Sequence, residues 1–157
     1  MTVTDLRLTS VPPVTAGMLI RRPAGEVFAA FADPEIMTRF WFTARTGRLE
    51  PEARVRWDWE MYGVSTEVLV EDVEPDRRIV FDWDEGRTVE LRFDPQQNGH
   101  AYVQVTETGF TGDGDRVVAA VADSTGGFTM VLCAAKALLE HGIELGVVAD
   151  RMPSTPS

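Results

Sequence analysis

Large apolar side chains alternate with polar ones along two short stretches in the first half of the chain. The segment "VRWDWEMYG" at residues 55–63 has an apolar residue at every second position: Val55, Trp57, Trp59 and Met61. The segment "IVFDWDEG" at residues 79–86 repeats this spacing with Ile79, Phe81 and Trp83. A period of two is typical of a β-strand, because successive side chains of a strand point to opposite faces. The spacing therefore predicts a sheet face that collects three of the four tryptophans.

The same period of two continues from residue 44 to residue 110, divided by turn signals such as Pro51, Gly63 and "QQNG". The predicted strands cover residues 44–50, 54–62, 65–74, 77–83, 88–94 and 101–110. Connections this short join antiparallel neighbours, because a parallel crossover needs about a dozen residues or more. The strands thus form a meander with one apolar and one solvated face. Charged residues predicted to form cross-strand ion pairs on the solvated face are Asp58, Glu60, Glu67, Glu71, Asp82, Glu90 and Arg92.

Helical periodicity flanks the meander on both sides. Before it, "GMLIRR" predicts a first strand, and "PAGEVFAAFAD" and "PEIMTRFWF" predict two short helices opening at Pro23 and Pro34, because proline suits the first turn of a helix. After it, apolar residues recur at steps of three and four over about thirty positions, which predicts one long amphipathic helix. Gly126 and Gly127 within that helix indicate a kink or a close backbone approach.

These elements predict an α+β fold in one domain. A chain of 157 residues fits one domain of ordinary size, which can bury a core without disulfides or metals. We expect the domain at residues 15–148. Weak periodicity predicts a flexible N-terminal segment at residues 1–14, and two prolines among polar residues predict a flexible tail at residues 149–157.

Composition excludes several classes of partner. A formal net charge of −10 repels phosphate backbones, so we expect no nucleic-acid binding. No apolar run approaches the roughly eighteen residues of a membrane span, and the N-terminus lacks the pattern of a secretory signal. A cytoplasmic location is the resulting expectation, and the single cysteine, Cys133, agrees with a reducing compartment.

Residues that carry catalytic chemistry are few. His100 lies in a turn, His141 lies near the end of the last helix, and Cys133 is a lone helix cysteine. None of them has a neighbouring base or third group in the sequence that would suggest a nucleophilic triad. The carboxylates are dispersed rather than grouped as metal ligands, and no phosphate-binding glycine loop is present. We therefore expect no catalytic residue of this kind, no metal and no cofactor.

Three segments in a fixed order carry a resemblance to a known family. They are "RRPAGEVFAAFADPEIMTRFW", "EDVEPDRRIVFDW" and "STGGFTMVLCAAKALLEHG". In this order, over roughly residues 15–145, the chain resembles the START-like superfamily, which includes the polyketide cyclase and Bet v 1 proteins. It looks most like the branch named for the ATPase activator of the ninety-kilodalton heat-shock chaperone. The resemblance implies a helix-grip fold, in which a curved seven-stranded antiparallel sheet wraps around the long C-terminal helix and two short helices follow the first strand.

The resemblance also implies a lipophilic cavity between sheet and helix. The tryptophans then either pack as solid core or form the wall of this cavity, and the sequence leaves both interpretations open. Polar groups that could point into the cavity include Glu107, which would be a candidate proton donor or acceptor if buried. The predicted ligand-binding residues are Trp57, Trp59, Thr66, Phe81, Trp83, Leu91, Glu107, Thr125, Phe128, Thr129 and Leu132.

The function expected from this family is the binding of a hydrophobic small molecule, lipid-like or polyketide-like. An enzyme of the cyclase or dehydratase type acting on a lipophilic substrate is the alternative. A chaperone-activating role follows from the name of the branch alone and ranks third. Leu145, Val147 and Val148 have no evident core to enter beyond Gly142, which favours a homodimer slightly over a monomer.

Overall fold

A long helix packs across one face of an antiparallel sheet in the computed structural model, which describes residues 6–45, 47–84 and 86–153. The strands are β1 (Val14–Ile20), β2 (Ala44–Arg45), β3 (Arg54–Trp59), β4 (Val64–Glu74), β5 (Arg78–Trp83), β6 (Arg87–Pro95) and β7 (Ala101–Thr108). The helices are α1 (Ala24–Ala32), α2 (Pro34–Met37), α3 (Gly114–His141) and α4 (Val147–Asp150). The predicted flexible ends fall partly on residues 1–5 and 154–157, which lie outside the described residues.

The sheet has the topology of a meander closed by the first strand. Its order is β1-β7-β6-β5-β4-β3-β2, with every neighbouring pair antiparallel. Among the described residues there are seven strands; six have six or more residues and β2 has two. The predicted α+β helix-grip fold is therefore confirmed.

Two predicted strands are shorter in the structure by three residues or more. The strand predicted at 44–50 is reduced to Ala44–Arg45, with residue 46 outside the described residues, because the amide of Leu49 donates to the carbonyl of Ala32 in α1 rather than to a strand. The strand predicted at 54–62 ends at Trp59, where a 3₁₀ turn, Glu60–Tyr62, begins. Met61 is consequently exposed rather than on the apolar face.

The two short helices form at the predicted places. Asp33 caps α2, its Oδ1 accepting from the amide of Glu35 at 3.0 Å, which satisfies a free donor of the first turn. The second helix is shorter than predicted and ends at Met37. The following residues continue in tight turns, with the amide of Trp41 bonded to the carbonyl of Met37. These turns bring Trp41 and Phe42 into the core.

The long helix α3 runs without a break for 28 residues. Asp113 caps its first turn by accepting from the amide of Arg116 at 2.9 Å, and Gly142 ends it with φ 68°. The helix is long and apolar enough to cross a membrane by composition. Its buried residues join the core under the sheet, however, so it is a core helix: Val117, Phe128, Val131, Leu132, Ala134, Ala135 and Leu138.

The opposite face of the sheet carries ion pairs, but only some of the predicted residues pair across strands; Glu60 lies in the 3₁₀ turn after β3 instead. Arg54 pairs with Glu67 at 3.0 Å across β3 and β4, and Arg78 pairs with Glu90 at 3.5 Å across β5 and β6. Arg56 with Asp58 and Arg92 with Asp94 pair along one strand instead. Glu71 and Asp82 differ from the prediction, because these two carboxyls lie beside each other. A hydrogen bond to Asp82 and its negative charge raise the pKa of Glu71.

A network of hydrogen bonds joins the end of α3 to the end of β1. Lys136 Nζ donates to the carbonyl of Leu19 at 2.8 Å and to Glu140 Oε2 at 2.6 Å, and the amide of Arg21 donates to the same Oε2 at 3.0 Å. Burial alone would raise the pKa of Glu140, but the hydrogen bonds from Lys136 and Arg21, with the charges of Lys136 and His141, hold it below its usual value.

Replacing Glu140 by glutamine is expected to destabilise the protein in a pH-dependent manner. Because the folded-state pKa of Glu140 lies below the usual glutamate value of 4.5, its contribution is present above pH 4.5 and is lost as the pH falls through the folded pKa. The difference in free energy of unfolding between wild type and E140Q, measured by urea denaturation, should therefore be largest at neutral pH and shrink below pH 4.5. A difference that grows on acidification would contradict this assignment.

Candidate functional site

Aromatic side chains fill the space between the sheet and the helices. Trp57 is fully buried, stacks on Phe42 at a centroid distance of 4.4 Å and meets Trp41 at 5.0 Å and Phe81 at 5.1 Å. Edge-to-face and tilted contacts of this kind stabilise beyond the burial of area. This half of the aromatic cluster is solid core.

The other half of the cluster forms the wall of a groove with a volume of about 340 Å³. The groove lies between α3 and the strands β4 and β5, and its other side is formed by α4 and Arg151. The apolar lining residues are Trp41, Trp59, Val64, Trp83, Phe128, Met130, Val131 and Val148. Polar groups also line it: Tyr62, Ser65, Thr66, Asp84, Arg87, Asp123, Ser124 and Arg151. The two interpretations of the tryptophans thus each apply to a part of the cluster.

Only some of the predicted ligand-binding residues reach the groove. Four line the groove: Trp59, Thr66, Trp83 and Phe128. Four others are buried in the core and do not reach the groove: Trp57, Phe81, Leu91 and Leu132. The hydroxyls of Thr125 and Thr129 donate to the carbonyls one turn earlier in α3, and Thr129 is exposed. Ligand binding by any of these residues stays a prediction.

Glu107 points inward and is completely buried behind the groove wall. The indole Nε1 of Trp83 donates to its Oε2 at 2.8 Å, and Arg87 Nε lies 3.7 Å from the same oxygen. Its Oε1 has no hydrogen-bond partner among the described residues. Since a buried carboxylate needs compensating charge, the guanidinium of Arg87 is its counterion. Glu107 does not line the groove itself but orients two residues that do.

Arg87 connects this buried acid to the groove. Its side chain is 18% exposed, pairs with Asp84 at 2.5 Å, and lies over the ring of Phe110 at 5.1 Å. Its Nη1 lies 3.5 Å from Ser124 Oγ of α3. Sequence reasoning missed Arg87 because its position is typical of a turn residue. The register supplies the signal, since Arg87 lies directly across from Trp83 and shares its inward face.

The C-terminal segment closes one side of the groove. The hydroxyl of Tyr62 donates to the carbonyl of Val148 at 2.6 Å, and Arg151 Nη2 donates to Asp123 Oδ1 at 2.9 Å. The guanidinium of Arg151 lies against Gly126 and Gly127, where an added Cβ would be 3.3 and 2.9 Å from its nitrogens. The glycine pair therefore marks a close approach rather than a kink. The expectation that Val147 and Val148 lack a core was wrong, because both pack against it; the predicted tail begins within α4.

Replacing Gly127 by alanine is expected to release Arg151 and still stabilise the protein slightly. Alanine gains about 0.8–1 kcal/mol of helix propensity, whereas an exposed ion pair contributes about 0.2–1 kcal/mol. The new methyl group would displace the flexible end of Arg151 rather than backbone. Hydrogen exchange at residues 147–151 should become faster in G127A while the free energy of unfolding does not fall. Unchanged exchange would show that Arg151 does not hold this segment.

This architecture, a long helix gripped by an antiparallel sheet with an aromatic groove between them, defines the helix-grip class of START-like proteins. The family model described as "Activator of Hsp90 ATPase homolog 1-like protein" matches residues 21–140. The chain belongs to this family, which confirms the resemblance drawn from the sequence. No curated protein matches the chain.

Solved structures of the same architecture span nearly the whole chain. The protein SSP2350 from Staphylococcus saprophyticus is 27% identical, with a TM-score of 0.76 over 85% of this chain and 96% of that one. The Aha1 dimer from Colwellia psychrerythraea is 13% identical, with a TM-score of 0.73 over 83% and 98% of the two chains. DynU16, a protein in the dynemicin biosynthetic locus, is 22% identical, with a TM-score of 0.72 over 84% of this chain and 48% of that one. The last two likenesses establish the fold alone, and this chain spans about half the length of DynU16.

Proposed function

We propose that the protein binds a hydrophobic small molecule, lipid-like or polyketide-like, in the groove between the sheet and α3. The groove itself carries this proposal: about 340 Å³ walled by Trp41, Trp59, Trp83 and Phe128. This volume falls in the range of about 300–1,000 Å³ that small-molecule pockets occupy, and such pockets combine apolar walls with a few polar groups.

The partial exposure of two tryptophans in the groove supports ligand binding. Trp59 and Trp83 are only partly buried although they pack against the core. A ligand that covers them would remove apolar surface from water, which contributes about 25 cal/mol per Å². Trp57, on the same face of β3 as Trp59, needs no such cover because it is already enclosed.

An enzyme of the cyclase or dehydratase type is the second candidate, and buried Glu107 favours it. The carboxyl of Glu107 lies behind the groove wall and pairs with Arg87, so it could influence the charge that Arg87 presents to a bound molecule. Glu107 does not line the groove, however, and a general acid or base must come within hydrogen-bond reach of its substrate. Simple binding is therefore the first proposal. A chaperone-activating role is supported by the family name alone and ranks third.

A homodimer is a separate proposal, supported by the dimeric state named for the Colwellia protein. Ile143 and Leu145 are apolar side chains exposed between α3 and α4, and contact with a second copy would cover them. Light scattering of the purified protein tests this directly. A monomer at all concentrations would reject the dimer and leave the groove proposal unchanged.

Native mass spectrometry of the purified protein, followed by solvent extraction, tests binding whatever the identity of the ligand. A retained compound, released on denaturation, is the expected result. As an independent measurement, the neutral naphthyl ketone prodan should bind with increased fluorescence. If no compound is retained and prodan does not bind, the proposal is rejected.

Filling the groove should weaken binding without unfolding the protein. Thr66 lines the groove, so T66F places a ring inside it and should weaken prodan binding by about tenfold or more, a loss of at least 1.4 kcal/mol. Thr129 is exposed on α3 and does not line the groove, so T129F makes the same chemical change elsewhere. Equal weakening in both variants, measured by fluorescence titration, would place the bound dye outside the groove.

A further inference from the structure

We infer that the natural ligand is an uncharged ring compound whose hydrogen-bond acceptor, such as a carbonyl oxygen, meets Arg87. This inference rests on the proposed function and specifies the chemistry of its ligand. It follows from three properties of the groove: the donors that Arg87 offers, the charges around it, and the shape of the aromatic wall.

Arg87 has donors to spare at the groove. A guanidinium carries five N–H donors, and the hydrogen bond to Asp84 uses one of the two on Nη2. The contact of Nη1 with Ser124 Oγ at 3.5 Å is at the limit of a hydrogen bond, and Nε lies 3.7 Å from Glu107 Oε2, beyond that limit. A ligand oxygen in the groove could therefore accept from Arg87 while its existing ion pairs remain.

The surrounding charges disfavour a charged ligand. Arg87 is already paired with Asp84 and Glu107, and Arg151 is paired with Asp123. The groove lining and the wall behind it hold three carboxylates, Asp84, Asp123 and the buried Glu107, against these two guanidinium groups, in a chain whose net charge is −10. An anionic ligand would therefore be repelled. A cationic group placed at the same end would lie against Arg87 itself. A neutral acceptor avoids both repulsions and still receives a hydrogen bond from a charged donor, which is stronger than a neutral one.

The wall favours a ring system over a flexible chain. Trp83 meets Trp41 at 6.0 Å, Trp59 at 6.3 Å and Phe128 at 5.8 Å between ring centroids. These rings form a continuous aromatic surface that continues into the core, so a bound ring extends it with further edge-to-face or offset contacts. Arg87 lies directly opposite Trp83 on the neighbouring strand and on the same face. The acceptor therefore belongs at one end of the ligand, next to the ring that covers Trp83.

Four naphthalenes that differ only at position 2 test the inference: the acetyl, ethyl, carboxylate and aminomethyl compounds. Isothermal titration of the full chain at pH 7 should show that the acetyl compound binds about tenfold more tightly than the ethyl compound, as a hydrogen bond to a charged donor predicts. The carboxylate and the ammonium compound should bind more weakly than the ketone. A carboxylate or ammonium that binds most tightly overturns the inference, as does equal binding of the acetyl and ethyl compounds.

Substitutions of Arg87 identify the donor. R87M should reduce the preference for the ketone over the ethyl compound from about tenfold to about twofold or less, because the hydrogen bond is removed. If R87M folds poorly, R87M/E107Q removes the buried charge together with the guanidinium, and it should lose the preference in the same way. Arg92 is on the same strand but on the solvated face, so R92M should retain the preference. A ketone preference that survives both Arg87 variants overturns the inference.

The same titration separates this inference from the proposed function. Binding of the ethyl compound, prevented by T66F, would establish an apolar ligand groove even if all selectivity at Arg87 were absent. If no naphthalene of the four bound, and native mass spectrometry found no retained compound, the groove proposal itself would fall together with the inference.

Discussion

Replacing Trp57 by alanine is expected to lower the free energy of unfolding by about 4 kcal/mol, because removing a fully buried large aromatic costs about 3–5 kcal/mol. Trp57 has no exposed surface and contacts Trp41, Phe42, Phe81 and Trp83. Neighbours that hold each other in this way cannot collapse into the space left behind. Urea denaturation of W57A, followed by far-UV circular dichroism, measures the loss.

The matched control is Trp59, two residues later on the same strand and the same face. It is only partly buried and lines the groove, so W59A should lose about 1–2 kcal/mol of stability but should weaken prodan binding clearly. W57A should lose more stability than W59A, and where it still folds at low temperature it should keep more of its prodan binding. Similar stability losses in the two variants would contradict the division of the aromatic cluster into core and wall.

Replacing Arg87 by methionine is expected to lower the free energy of unfolding by about 3 kcal/mol, because it leaves Glu107 buried without a cation. This figure is at the lower end of the range for buried pairs. Arg87 retains 18% exposure and its Nε is 3.7 Å from the carboxylate, so solvent already weakens the attraction. Urea denaturation at pH 7 measures the effect, with R92M as the control that changes an exposed arginine.

A double-mutant cycle separates the pair from its parts. E107Q removes the buried charge while keeping the size of the side chain, and R87M/E107Q should be destabilised by less than the sum of the two single variants. The amide can still accept from the indole of Trp83, so the contact at 2.8 Å need not be lost. Strictly additive losses would show that Arg87 and Glu107 do not stabilise each other.

Much of the fold could be predicted because each element is patterned over its own length. The alternation of Ile79, Phe81 and Trp83 and the four-residue spacing of Phe128 and Leu132 both survive in the structure as faces that pack in the core. Boundaries failed where a tertiary contact decided the backbone. Leu49 leaves its predicted strand because its amide donates a hydrogen bond to a carbonyl of α1. No residue near Leu49 in the sequence indicates that contact.

The groove was less predictable than the sheet. Sequence alternation assigns Trp57 and Trp59 to one face but does not tell which one meets its neighbours closely enough to be enclosed. Trp41, Arg87 and Arg151 are among the wall residues that the sequence did not indicate. Trp41 falls in the predicted second helix, but that helix ends at Met37 and Trp41 lies in the tight turns that follow, whereas Arg151 falls in the predicted tail. Only the glycine pair in α3 gave a sign of Arg151, as a close approach without a named partner.

The place of β1 in the sheet affects the order in which the protein can fold. Strands β3 to β7 pair with their neighbours along the chain through short turns, whereas β1 pairs with β7 at the far end of the meander, as Val14 with Glu107. Closing so long a loop costs more chain entropy than closing a hairpin and slows folding. The hairpins can therefore form while β1 is still undocked. Until β1 docks, the edge of β7 lacks its backbone partner, and Val14 does not cover Glu107, which lies directly opposite it in the register.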